Sequence, residues 1–190
     1  MARSTGRLQN NMIVVDTGVL LTALVLNFVR LIQVPRQKQQ EILYRGINPY
    51  LRNPNLQKAY LARFSSEIRP LRTTPYVIAE IHGLAKSRLK LYSQDLSSFW
   101  RYSIDFLLAR DLDESLVRLI DLKNLREVVC EIGPSDTAII HLAHREGSVL
   151  LTTDGRLLAR AREQNVSVMS EHDFAYGGPI PRGLPEPRRR

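Results

Sequence analysis

Residues 12–31, MIVVDTGVLLTALVLNFVRL, decide the fold. Met12-Ile13-Val14-Val15 is short, apolar throughout and rich in β-branched residues, with no polar side chain to face water. That is the pattern of a strand buried on both faces of a parallel sheet. Asp16-Thr17-Gly18 ends it, and the apolar stretch from Val19 to Leu31 is too long for a strand and predicts a helix. A buried strand running directly into a buried helix is the opening of a βα unit.

The alternation recurs downstream. Ser148 to Thr153 predicts a strand that ends at Asp154-Gly155, Arg156 to Gln164 a helix, and Val166 to Met169 a last strand. Leu125 to Ile132 is apolar and β-branched and also predicts a strand, broken by Gly133-Pro134-Ser135 before a helix over Asp136 to Arg145. Thr74-Pro75 predicts a helix start, with Thr as cap and Pro at the first helical position. A stripe of Val77, Ile78, Ile81 and Leu84 carries that helix onward. Helical patterns also cover residues 37–44, 56–68, 96–110 and 113–122. Strands alternating with helices imply a parallel α/β sheet covered on both faces. One domain over 12–176 is expected, preceded by a basic arm (1–11) and followed by a Pro/Arg-rich tail (177–190) whose composition predicts disorder.

The chain has 190 residues and 44% apolar content, enough to bury a core without disulfide or metal staples. Charged residues at 24% exclude wholesale disorder. The single cysteine, Cys130, excludes a disulfide framework and a Cys-rich zinc site, and in the run Val128-Val129-Cys130 it is expected to be a small buried hydrophobe. Arg3 and Arg7 before an apolar stretch loosely mimic a signal peptide. Asp16 interrupts that stretch and no small-residue cleavage site follows, so a cytoplasmic protein without a membrane span is expected.

The formal net charge of +8 suggests a polyanionic partner. It is unevenly distributed. Residues 28–72 hold nine basic and two acidic side chains, whereas 12–27 and 73–176 together hold twelve basic and sixteen acidic ones. A slightly acidic body therefore carries a basic segment. In that segment Arg36, Lys38, Arg45 and Arg52 are candidates for RNA phosphates, and Tyr44, Tyr50 and Tyr60 for stacked bases. The same pattern suits a solvated helical cover or a face for a partner protein.

In open parallel sheets ligands bind outside the carboxyl ends of the strands. Asp16 closes the first strand, Asp154 closes the Thr152-Thr153 strand, and Asp136 lies in the first turn of a helix. Glu80 interrupts an otherwise apolar helical stretch, YVIAEIHGLA. Each acid alone has an ordinary structural use as a cap or a solvated helix residue. Four at one edge need a cation, because clustered carboxylates resist ionising together. Oxygen ligands alone select Mg²⁺ or Mn²⁺. Such a cluster suits phosphodiester hydrolysis, in which divalent ions ionise water and neutralise charge at the scissile phosphate. His141, His144, His82 and His172 complete no zinc pattern, and neither GxxxxGK[ST] nor GxGxxG occurs. A phosphatase using an aspartyl nucleophile would need a second Asp where Gly18 stands.

The segments VVDTGVLLTAL (14–24), TTPYVIAEIHGL (73–84), GPSDTAIIHLAHREGSVLLTTDGRLLARARE (133–163) and VSVMSEHDF (166–174) resemble the motifs of PIN-domain ribonucleases. That family includes the toxin nucleases of prokaryotic toxin–antitoxin pairs and the PIN domains of RNA-processing factors. The resemblance implies a three-layer α/β/α sandwich with a central, mainly parallel sheet. It implies Asp16, Glu80, Asp136 and Asp154 as catalytic ligands of one or two Mg²⁺ or Mn²⁺ ions, with Thr17 and Thr153 as supporting hydrogen-bonders. The implied activity is endonucleolytic cleavage of RNA. The implied partners are RNA, an antitoxin or other protein, and a second copy of the chain. The chain is longer than compact toxin-type members, at about 28–72 and 89–122. A non-catalytic RNA-binding or scaffolding protein is the alternative from another class.

Overall fold

A computed structural model describes residues 12–68 and 70–181. The basic arm, most of the Arg-rich tail and Arg69 lie outside the described residues.

Strand β1 (Ile13–Val15) is fully buried, as its apolar sequence requires. Asp16 follows in extended backbone and caps helix α1 (Thr17–Leu31), its carboxylate accepting the Val19 amide. Helix α1 is apolar nearly all round and buried from Thr17 to Phe28 except at Gly18, so it must be wrapped on every side. The wrapping comes from α2 (Arg36–Gly46), α3 (Pro54–Glu67), α4 (Pro75–Ser87) and α5 (Ser93–Leu108). Gly46 lets α2 approach closely: a Cβ there would lie 2.8 Å from Val25 and 2.9 Å from Leu89. The opposite layer consists of α6 (Arg126–Ile132), α7 (Pro134–Glu146) and α8 (Gly155–Glu163), and a short α9 (Glu171–Ala175) closes the described chain.

Between the layers lies an all-parallel sheet of β1, β2 (Leu71–Thr73), β3 (Asp113–Glu114), β4 (Val149–Thr152) and β5 (Ser167–Ser170) in the order β3-β2-β1-β4-β5. The expected three-layer α/β/α architecture with a parallel sheet is therefore present. One hydrophobic cluster runs through it from Ile13 to Ala175. No helix among the described residues is long and apolar enough to cross a membrane.

Four local expectations are corrected. Arg126–Ile132 form a helix, not a strand: Val128 is buried and Leu125, Val129 and Ile132 are half-buried, a spacing of i, i+3, i+4, i+7, while Glu127 and Glu131 face water. Cys130 sits on the outer face of that helix and is exposed, not buried. The expected helix over 113–122 is instead a two-residue edge strand followed by a 3-10 segment, Leu119–Leu125. Thr74 occupies the cap position of α4, but its hydroxyl makes no capping bond.

Candidate functional site

The strand order fixes where a ligand can sit. From β1 the chain crosses to β2 on one side, while β4 pairs on the other side and leads on to β5. The order reverses between β1 and β4, and the crevice outside their carboxyl ends is the favoured ligand position. Asp16 leaves β1 at that crevice, and Thr152, Thr153 and Asp154 leave β4.

Asp16 is 4% exposed. Its Oδ1 accepts the Val19 amide at 2.8 Å, and its Oδ2 accepts the Thr152 hydroxyl and, at 3.2 Å, the Thr153 amide. These donors favour the charged carboxylate, but burial outweighs them and pushes the carboxyl from 3.8 up to about 7. The negative charge of Glu171 adds to the upward push. A carboxylate oxygen has two lone pairs, so these bonds leave Asp16 further acceptor capacity.

Thr17, next along the chain, donates its hydroxyl to Glu80 Oε2 at 2.7 Å. That bond ties the start of α1 to the exposed Glu80 on α4. Asp136 stands in the first turn of α7. This helix runs back to the start of β4, so its N-terminus lies at the carboxyl edge even though a helix, not a strand, precedes it. Burial, then the negative charges of Glu80 and Asp154, push the Asp136 carboxyl from 3.8 up to about 6. Asp154 caps α8, its Oδ1 accepting the Arg156 amide at 2.6 Å and the Leu157 amide at 3.2 Å. The capping use foreseen for a lone Asp therefore coexists with its position at the rim.

Comparison of the chain with protein-family models, curated proteins and solved structures finds no match. The site is accordingly read from its own geometry.

Two supporting roles differ from the sequence reading. The Thr153 side chain is exposed, and Thr153 serves Asp16 through its backbone amide. The hydroxyl on Asp16 comes from Thr152, which is fully buried and also accepts the Asp154 amide at 2.9 Å. Gly18 is required for close approach, since a Cβ there would overlap Thr153 Oγ1 and lie 3.1 Å from its Cγ2.

Sequence reasoning missed Glu171, a carboxylate buried immediately after β5. Its Oε2 accepts Asn48 Nδ2 and the Tyr50 hydroxyl, both at 2.6 Å, and its Oε1 accepts the Tyr60 hydroxyl at 3.0 Å. Thr22 of α1 adds another hydrogen bond. Burial pushes this carboxyl up, while the four donors pull the other way. Burial, and then the charge of Glu171, drives the Tyr60 phenol well above its ordinary value. The rule that found Asp16 and Asp154, an acid at the carboxyl end of a strand, would have found Glu171 too.

The basic segment is only partly free for a polyanion. Lys38 is held by both oxygens of Asp95, at 2.8 and 2.7 Å. Arg45 lies 3.9 Å from Glu41. Arg36 is exposed. Arg52 stacks over the exposed Tyr44 ring, 4.3 Å from its centroid. Of the three tyrosines considered for base stacking, Tyr60 is fully buried and Tyr50 half-buried.

The donor set at the rim is all oxygen, which fits Mg²⁺ or Mn²⁺ and not a soft metal. The mutual charge that raises Asp136 is what a cation would relieve. Among the described residues, no group of three or more Asp, Glu, His or Cys side chains converges closely enough to cage an ion. Mg²⁺ takes one or two carboxylates directly and keeps several of its waters, so acids that feel one another across a crevice suit it.

Proposed function

We propose that the chain is a metal-dependent endoribonuclease whose reaction occurs at the carboxyl edge between β1 and β4. One observation carries this reading. Asp16 and Asp154 flank the crevice where the strand order reverses, Glu80 is tied there through Thr17, and Asp136 is raised by burial and then by the charges of Glu80 and Asp154. A surface of this kind repels a phosphate backbone unless a divalent cation intervenes.

The bound ion would supply positive charge at the scissile phosphate and the acidity that ionises water near neutral pH. The chain's own contribution is orientation. Val19, Thr152 and Thr153 fix both oxygens of Asp16 and leave one lone pair, on Oδ1, free for a further partner. Thr17 fixes Glu80, and the first-turn amides of α8 fix Asp154. Asp16 and Asp136 would bind the cation most directly.

The test is cleavage of RNA with Mg²⁺ or Mn²⁺ by the wild type, by Asp16→Asn and by Asp136→Asn. Cleavage that requires the metal and is lost in both variants supports the proposal. Cleavage indifferent to EDTA or to Asp16→Asn would sink it. A non-catalytic RNA-binding role is the alternative, supported by the basic segment 28–72 with its nine basic and two acidic side chains. RNA binding without metal and without turnover would decide for it.

A further inference from the structure

Of the three tyrosines foreseen as base-stacking residues within residues 28–72, Tyr60 is closed to a base. Tyr60 is buried against Phe64 and Phe174, whereas Tyr44 is 67% exposed and carries the Arg52 guanidinium 4.3 Å from its ring centroid. A different set of rings meets at the rim. Tyr50 lies 5.1 Å from His172, His172 4.7 Å from Tyr176, and Tyr50 6.4 Å from Tyr176, all between ring centroids. Tyr176 is 60% exposed, and the His172 side chain is equally open. We infer that Tyr50, His172 and Tyr176 form a stacking platform for a base of single-stranded RNA beside the carboxylate crevice. The inference rests on the nuclease reading for its substrate and adds where that substrate is held.

Position supports it. His172 and Tyr176 belong to α9 and the residue after it, which begin directly at the carboxyl end of β5, the edge that carries Asp16. Glu171 binds the Tyr50 hydroxyl from below, and its charge reaches Asp16. The platform is thus anchored by the same buried carboxylate that borders the site. Rigidity supports it as well: with its hydroxyl held at 2.6 Å and its ring packed edge-on at 73° to His172, Tyr50 needs little ordering when a ligand arrives.

The local charge selects which part of a nucleotide is taken. Asp173 adjoins His172 at 3.8 Å, and Glu171 lies beneath. Two carboxylates make the spot unfavourable for phosphate, whereas the neutral face of a base meets no such penalty. Arg52, two residues from Tyr50 and exposed, supplies cationic charge for the adjoining backbone. In a duplex the bases are stacked on each other, so a platform of open rings favours single strands.

The test is fluorescence binding of a short single-stranded RNA carrying one 2-aminopurine, in Ca²⁺ so that the rim acids are neutralised, with the integrity of the RNA checked on a gel. Quenching of the fluorophore with wild type is expected. Tyr176→Ala should weaken binding roughly five- to one-hundred-fold and abolish the quenching, while Tyr176→Phe keeps both, because stacking needs the ring and not the hydroxyl. Tyr176 is exposed, so the Ala variant should retain the wild-type circular dichroism and melting temperature. Unchanged binding in a folded Tyr176→Ala protein would overturn the platform, as would wild type binding duplex RNA as tightly as the single strand, or binding neither. Failure here with intact Asp16-dependent cleavage leaves the nuclease reading standing. A platform effect without cleavage refutes catalysis and not the platform.

Discussion

Asp16 gives a prediction whose size follows from its surroundings. Its carboxyl is raised on folding from 3.8 to about 7, with burial as the largest cause. In the window between those values the folded chain holds a proton that the unfolded chain has released. Stability therefore falls as pH rises through the window, and above about pH 7 the full penalty is present. At about 1.36 kcal/mol per unit the whole penalty is roughly 4 kcal/mol, of which roughly 2 to 3 kcal/mol should be read between about pH 5 and about pH 8. Asp136, raised to about 6, and Glu171, also raised, act in the same direction. The Asp16 contribution is therefore isolated by difference, from urea unfolding of wild type and Asp16→Asn in EDTA across that range. Asn is as good a helix cap as Asp, so the variant keeps an acceptor for the Val19 amide while losing the titration. It should lose most of the pH slope and be relatively more stable at the alkaline end. Mg²⁺ or Mn²⁺ added to the wild type at about pH 8 should restore stability, by roughly 2.7 kcal/mol at one hundred times the dissociation constant. The same slope in variant and wild type would refute the assignment of a buried, raised carboxyl at position 16.

Glu171→Ala leaves the Tyr50 hydroxyl without its acceptor and reduces Asn48 Nδ2 and the Tyr60 hydroxyl to long bonds of 3.3 Å to Tyr50 and 3.5 Å to the Val19 carbonyl. It should cost roughly 3 kcal/mol and lower the melting temperature by about 6–12 °C, read by thermal denaturation. Gly18→Ala places a Cβ against Thr153, and overpacking of about 1–3 kcal/mol should outweigh the helical gain of about 1 kcal/mol over Gly. Thr153→Ala combined with it should recover much of the loss in the same melt, whereas Thr153→Ala alone should have little effect. Asp154→Ala removes the α8 cap, costing about 1 kcal/mol, and should also abolish metal-dependent RNA cleavage, whereas Asp154→Asn should keep the stability and still lose the cleavage.

Much of the fold was legible because burial leaves a strong mark in sequence. The run Ile13 to Val15 could only be a covered strand, and the mostly apolar Val19 to Phe28 could only be an enclosed helix. What escaped were elements defined by partners. Leu71–Thr73 and Asp113–Glu114 are too short to show a period, and they exist because Arg72 pairs with Val14 and Asp113. At 125–132 the β-branched content suggested a strand, while the spacing of the buried and half-buried residues was helical throughout. The candidate acids were legible through one positional rule, applied to β1 and β4 but not carried to β5, where Glu171 sits. Thr152 was hidden by its neighbour Thr153: only the strand's alternation decides which of two adjacent threonines turns its hydroxyl to Asp16. The tyrosines of the basic segment had the composition of a stacking surface, but composition does not separate Tyr60, locked under Glu171, from the open Tyr176.

The most direct measurement of the central claim is the rate of RNA cleavage by the full chain with Mn²⁺ or Mg²⁺, with EDTA and with Asp16→Asn alongside. The account predicts cleavage by wild type that EDTA stops, that returned metal restores, and that falls to background in Asp16→Asn although the variant remains folded. Cleavage that persists in EDTA or in Asp16→Asn would contradict it.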